Sequence, residues 1–255
     1  MRLIKSIATW LTLLAAPLAL TACGGDDANN GATPVASGSP AVIAKAPDGK
    51  KWVDVVEKTG DGWYRQGSPN APVKLIEYGS RSCPVCGAFA MNGVEQLREK
   101  YVNTGQVSYE FRDFLVHPQD LGIALLGRCV SQEAFFPTLD QMYANQQAFD
   151  ERARTMTDAM YAQIQGMNRQ DQARTLAQVL GYTDFMKQRG MPEAKIQQCL
   201  SDPAATAAFS KQLEEAVNVK KVGGTPTFFI NDVQAPENTV SWAQLEPLLR
   251  AAGAR

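Results

Sequence analysis

The chain has 255 residues, 45% of them hydrophobic and 20% charged, with a net charge of −1. This is ordinary globular content, and so balanced a charge gives no electrostatic basis for binding nucleic acid. Beyond the leader and tether described next, roughly 200 residues remain, enough for one large domain or a domain carrying an insertion.

Residues 1–22 read as an export signal and not as part of the fold. Arg2 and Lys5 supply a short positive region, and Ile7 to Leu20 an apolar run too short for a transmembrane span. The run ends in Leu20-Thr21-Ala22-Cys23, which resembles the bacterial lipobox, where the cysteine is lipidated and becomes the mature N-terminus. Plain cleavage after Ala22 is the alternative. Residues 23–50, rich in Gly, Asn, Ala, Ser and Pro up to about Ile43, bury too little to offset chain entropy and read as a flexible tether. The folded part is then 51–255.

Val73 to Tyr78 reads as a mostly buried strand after the turn Asn70-Ala71-Pro72. Pro84 stands where a helix begins, and Ala90, Val94, Leu97 and Tyr101 recur at helical spacing. Val107 to Val116 alternates as a second strand. From about 119 to 215 the pattern is helical throughout: Leu121, Leu125 and Cys129 share one face, and Leu139, Met142, Tyr143 and Phe149 another. Gly166, Gly181 and Gly190 mark stops, and Pro192 a start. Strand character returns at Thr227 to Ile230, Asn231-Asp232 signals a hairpin, and Ser241 caps a last helix bearing Trp242, Leu245, Leu248 and Leu249. The order β-α-β, helical block, β-β-α predicts an α/β thioredoxin fold with an inserted all-helical subdomain.

The chemistry-bearing motif is Cys83-Pro84-Val85-Cys86, placed between the first strand and its helix. A sulfur at a helix start meets unpaired N–H groups and the positive end of the macrodipole, and cysteine pKa values there fall to about 3.5–7.5. Cys83 is therefore expected to be an exposed nucleophile and Cys86 a more buried resolving thiol. A zinc site would need two further ligands, yet the chain has one histidine, His117, and no second CxxC, so no metal is expected. An inert structural disulfide is the other alternative. Glu77, a charge within an apolar strand, is costly without a role and reads as a buried acid able to exchange a proton with Cys86, unless it faces solvent. Pro226, in Gly224-Thr225-Pro226-Thr227, lacks a ladder donor at the start of a strand, and a cis bond is one option there.

Glu77, Cys83-Pro84-Val85-Cys86, the helical insertion and Thr225-Pro226 together resemble the DsbA family, in its branch with threonine before the proline. The resemblance covers about Gly67 to Leu249. It implies that Cys83 is the nucleophile, Cys86 the resolver and Glu77 the buried acid, and that Thr225 and Pro226, with Pro84 and Val85, contact an extended substrate peptide by strand addition. Strong oxidants of the family carry histidine where this chain has Val85, so a less depressed Cys83 pKa and a less oxidising pair are expected. Arg81 is either a nearby cation that partly substitutes or a solvated loop charge. His117 receives no role.

Setting Cys23 aside leaves Cys83, Cys86, Cys129 and Cys199, an even number that favours disulfides in an oxidising compartment. A Cys129–Cys199 structural bond is favoured over two buried thiols, and relatives with a matching pair suggest the same. The expectation is a periplasmic oxidoreductase, tethered through Cys23 and needing no cofactor. It would pass the Cys83–Cys86 disulfide to reduced exported proteins and be reoxidised by a membrane partner. The alternatives are an envelope reductase or isomerase and a non-catalytic peptide-binding lipoprotein.

Overall fold

The computed structural model describes residues 45–255. The stretch expected to be a signal peptide, the lipidation candidate Cys23 and the expected tether up to residue 44 lie outside the described residues. Among the described residues no helix is long and apolar enough to cross a membrane.

One six-stranded sheet organises the fold, in the order β1-β2-β4-β3-β5-β6. Its centre is the parallel pair β3 (Val73–Gly79) and β4 (Val107–Asp113), in register from Val73↔Val107 to Gly79↔Asp113. The helical connection between them is α1 (Pro84–Asn92) and α2 (Val94–Leu97), followed by a π-helical turn. The single helix expected here breaks at Gly93, where a Cβ would meet the Phe89 ring at 2.8 Å. On the far side β5 (Thr227–Ile230) pairs antiparallel with β3 and turns through Asn231 and Asp232 into β6 (Val233–Gln234). Both turn residues have positive φ, which Asn and Asp tolerate in a two-residue hairpin. Asn231 also accepts the Lys74 N–H at 2.8 Å, tying the hairpin to β3.

The sequence reading missed the hairpin β1 (Val56–Lys58) and β2 (Tyr64–Gln66), which pairs through β2 with β4. Strands of three residues carry too few side chains to show a period, and only Gly60-Asp61-Gly62 signals the turn. The outer edge of β1 is occupied by Gln132, whose side chain accepts the Lys58 N–H at 3.1 Å and donates to the Val56 carbonyl at 2.6 Å. A side-chain amide thus covers an edge that would otherwise recruit another strand.

Strand alternation sorts the core. Val73, Leu75, Val107, Tyr109 and Phe111 face the layer of α1 and α11 (Trp242–Ala251), packing with Phe89, Leu245 and Leu249. Ile76, Tyr78 and Phe229 face the other way, with Phe114, Ala216 and Val222. Between β4 and β5 the chain forms eight helices: α3 (Asp120–Arg128), α4 (Phe135–Ala144), α5 (Gln146–Arg154), α6 (Asp158–Gln165), α7 (Arg169–Val179), α8 (Tyr182–Gln188), α9 (Glu193–Leu200) and α10 (Pro203–Asn218). They bury an apolar cluster of their own around Leu121, Leu125, Met142, Phe185 and Leu200. The face expected to run from Leu139 to Phe149 spans two helices, because the chain breaks at Asn145.

Cys129, ending α3, and Cys199, in α9, are bonded to each other across 70 residues. Replacing both with serine is expected to lower stability by roughly 4 kcal/mol, from the entropy that the cross-link removes from the unfolded chain. Denaturant midpoints measure this. Neither thiol should react with an alkylating agent in the native, unreduced protein, and labelling of both would contradict a structural bond.

Candidate active site

Cys83 is the N-cap of α1 and Pro84 its first helical residue, where the missing proline N–H costs nothing. Cys83 and Cys86 are not joined by a disulfide in this structure. Cys83 is only 7% exposed, so the freely exposed nucleophile expected from the sequence is corrected to a sulfur in a shallow, mostly covered seat. The cause is the turn before Pro226, which packs over the helix start: the Thr225 carbonyl lies 3.5 Å from the Cys83 sulfur. The Thr225–Pro226 bond is cis. Pro226 is buried, whereas Pro84 and Val85 are exposed beside the sulfur, Val85 at 43%.

The two thiols are driven apart electrostatically. The Cys86 thiol, donating to Cys83, is the largest influence holding the Cys83 pKa down at about 5. Burial opposes it, and the Thr225 side chain and the backbone N–H groups of Cys86 and Val85 add to the lowering. The value lies within the range open to a helix-start cysteine without any contribution from Val85's side chain. Burial pushes Cys86 far above the ordinary thiol range, reinforced by its hydrogen bond to Cys83 and by the charge of Glu77. Cys83 is thus the thiolate near neutral pH, and Cys86 keeps its proton.

Glu77 lies beneath this pair. Alternation along β3 puts it on the same sheet face as Val73 and Leu75, toward α1, and it is fully buried. The solvent-facing alternative therefore fails. Burial raises its pKa to about 8, while the Tyr109 hydroxyl, donating to Oε2 at 2.6 Å, pulls it back. Gly79 leaves room for the carboxylate, since a Cβ there would stand 3.0 Å from Oε1 and 2.5 Å from the Phe111 ring.

Arg81 is neither of the things expected. It is buried, and its guanidinium turns away from the thiols to Asp113 at the end of β4, with Nε 2.6 Å from Oδ1. Arg128 reaches the other carboxylate oxygen at 2.9 Å. The Arg81 charge is taken up by Asp113 and is not among the main influences on the Cys83 pKa. Next to it Ser82 donates to the buried Asp120 at 2.6 Å, and His117 Nδ1 stands 3.0 Å from the Ser82 hydroxyl. His117, given no role from the sequence, thus braces the residue before Cys83. Among the described residues no cluster of three or more His, Cys, Asp or Glu side chains could hold a metal ion.

Two residues at the site went unread in the sequence. Tyr109 was legible in principle, because the alternation of Val107, Tyr109 and Phe111 puts all three on the Glu77 face. Gln146 was not: nothing in its local pattern says that it reaches back to the Cys83 turn, where it donates to the Cys83 carbonyl at 2.9 Å.

The thioredoxin family model matches residues 59–251. A Rickettsia felis protein whose name carries the words protein-disulfide oxidoreductase is 27% identical over 81% of this chain and 66% of its own length. A similarly named Rickettsia prowazekii protein is 25% identical over 73% of this chain and 60% of its own. The chain thus spans about two thirds or less of the length of these relatives. Among solved structures, one described as a protein-disulfide isomerase from Novosphingobium aromaticivorans superposes with a TM-score of 0.70 at 29% identity, covering 73% of this chain and 95% of that one. Wolbachia pipientis alpha-DsbA1 shares the fold, with a TM-score of 0.55 at 22% identity over 73% of this chain and 88% of its own. With two cysteines at a helix start, a cis-proline turn against them and a family match across nearly all the described residues, this chain belongs to the thioredoxin family and has a DsbA-like fold.

Proposed function

We propose that this protein is a thiol–disulfide oxidoreductase that donates a Cys83–Cys86 disulfide to reduced exported proteins. The observation that carries this is the Cys83 sulfur seated at the start of α1 directly against the Thr225–Pro226 turn. A nucleophile and a peptide-binding edge meet at one point. The names of the Rickettsia relatives support the same chemistry.

A substrate thiolate attacks the Cys83 sulfur, the Cys83–Cys86 bond breaks, and Cys86 leaves with the electron pair. Buried Cys86 cannot persist as an anion, so it takes a proton, and the donor in this reading is Glu77, which is protonated at neutral pH and interacts electrostatically with Cys86. A second substrate thiolate then attacks the substrate sulfur of the mixed disulfide. Cys83 leaves as a stabilised thiolate, which favours release. Two electrons pass from substrate to enzyme, and a membrane redox partner that accepts them would restore the disulfide. Lipidation of Cys23 would hold the domain at the periplasmic face of a membrane; the support is the sequence around Leu20 to Cys23.

Replacing Cys86 with alanine tests the assignment. The variant should accumulate mixed disulfides between Cys83 and client proteins, resolved on non-reducing gels and absent when Cys83 is also replaced. A non-catalytic peptide-binding module would trap nothing. The isomerase or reductase reading has one point in its favour, the description of the Novosphingobium structure. Acid-quenched thiol trapping in cells separates the two, since an oxidase is found mostly oxidised and an isomerase or reductase mostly reduced.

A further inference from the structure

Gln146 is the first residue of α5, inside the helical insertion, yet its side chain ends on the redox turn. Its amide nitrogen donates to two acceptors of that turn, one on either side of Ser82: the Cys83 carbonyl at 2.9 Å and the Arg81 carbonyl at 3.1 Å. The Cys83 carbonyl also accepts the Gly87 N–H at 3.0 Å, the first bond of the α1 ladder. With two donors its acceptor capacity is filled. The close approach depends on Gly87: a Cβ there would lie 2.0 Å from the Gln146 side-chain oxygen. Two elements far apart in the sequence, α1 and α5, therefore fit by one glycine notch and one amide.

We propose that Gln146 is a positioning residue of the redox centre, through which the inserted helical block fixes the Arg81–Cys83 turn so that the helix-start N–H groups stay aimed at the Cys83 sulfur. The amide does not touch the sulfur. It acts through the backbone, by holding two carbonyl oxygens, the negative ends of their dipoles, in place beside a developing thiolate. Losing it leaves the Arg81 carbonyl without this donor and Cys83 with one restraint fewer on the conformation at its N-cap. This inference rests on Cys83 being the ionised nucleophile.

The test compares full-length reduced protein with Gln146→Ala, Gln146→Glu and Gln147→Ala. Gln147 is the next residue on the same helix, exposed, and bonded to Glu151 alone through its side-chain nitrogen. Thiolate absorbance gives the midpoint of Cys83 ionisation, and equilibration with glutathione gives the thiol–disulfide balance. In Gln146→Ala the midpoint should rise by about one pH unit, and the equilibrium should move ~10-fold toward the protein disulfide. Gln146→Glu, which sets an anionic acceptor against two carbonyls, should move both further. Gln147→Ala should leave both at wild-type values. A wild-type midpoint and glutathione balance in both Gln146 variants overturns the inference, whatever their melting temperatures. If wild-type Cys83 itself titrates like a free cysteine, the reading of Cys83 fails instead, and the two failures are told apart by that one curve.

Discussion

Replacing Asp113 with asparagine is expected to destabilise the protein by roughly 3–5 kcal/mol, the cost of stranding a buried charge. The Asp113 side chain is 2% exposed and that of Arg81 1%. Asp113 holds Arg81 through Oδ1 at 2.6 Å and Arg128 through Oδ2 at 2.9 Å, and Arg81 Nη2 also reaches Oδ2 at 3.4 Å. Neutralising it leaves two cations facing each other without an anion. Replacing Arg81 with methionine should cost less, because Asp113 keeps Arg128 and the unbranched side chain can fill the space between the rings of Phe111 and Phe135, where the guanidinium now sits 5.7 and 5.0 Å from the ring centres. Gly127 takes part as well: a Cβ there would stand 2.2 Å from Arg81 Nη1, so Gly127→Ala should also destabilise. Urea midpoints at unchanged slope measure all three. An Asp113→Asn variant within 1 kcal/mol of wild type, or one more stable than Arg81→Met, would contradict this account. The ion pair bolts the turn that carries Cys83 to the end of β4 and the start of the insertion, so its loss should also lower the yield of active protein.

Glu77→Gln is expected to make the protein more stable at alkaline pH and slower at disulfide transfer. The sign follows from the direction of the shift. Glu77 has a folded pKa of about 8 against an ordinary 4.5, so the unfolded chain loses this proton first as pH rises. Below 4.5 both states are protonated and Glu77 has no linkage effect. Between 4.5 and 8 wild-type stability falls with pH, and above 8 the loss levels off at about 5 kcal/mol. The variant lacks this slope. Tyr109→Phe removes the donor that favours the carboxylate, so it should push the Glu77 pKa higher and shift the same slope to more alkaline pH. In turnover the protonated acid supplies Cys86, so wild-type transfer should decline as pH passes about 8. Glu77→Gln should lose ~10-fold to ~100-fold in rate, at or below the usual span for a general acid. Stopped-flow oxidation of a model dithiol peptide across pH 5 to 9 measures it. A variant with the wild-type pH profile would remove Glu77 from the reaction.

The sequence alone determined the parts of this protein that depend on residue type and local order. A CxxC between a strand and a helix puts one sulfur at a helix start whatever the rest of the chain does, because the first turn always leaves N–H groups unpaired. Glu77 stood out as a charge inside an apolar strand, and Pro226 as a residue unable to donate in a ladder. The change from strand pattern to helical pattern and back defined the insertion. Tertiary structure decided the rest. Arg81 looked like a loop cation because its anion, Asp113, is 32 residues away. Gln146 is separated from Cys83 by 63 residues and meets it only because Gly87 leaves the notch open. Even the exposure of Cys83 was set by the Thr225 turn, 142 residues further on. Hydrophobic periods and helix ends are written within a few residues, whereas burial of a charge and the partner that compensates it are properties of the packed chain.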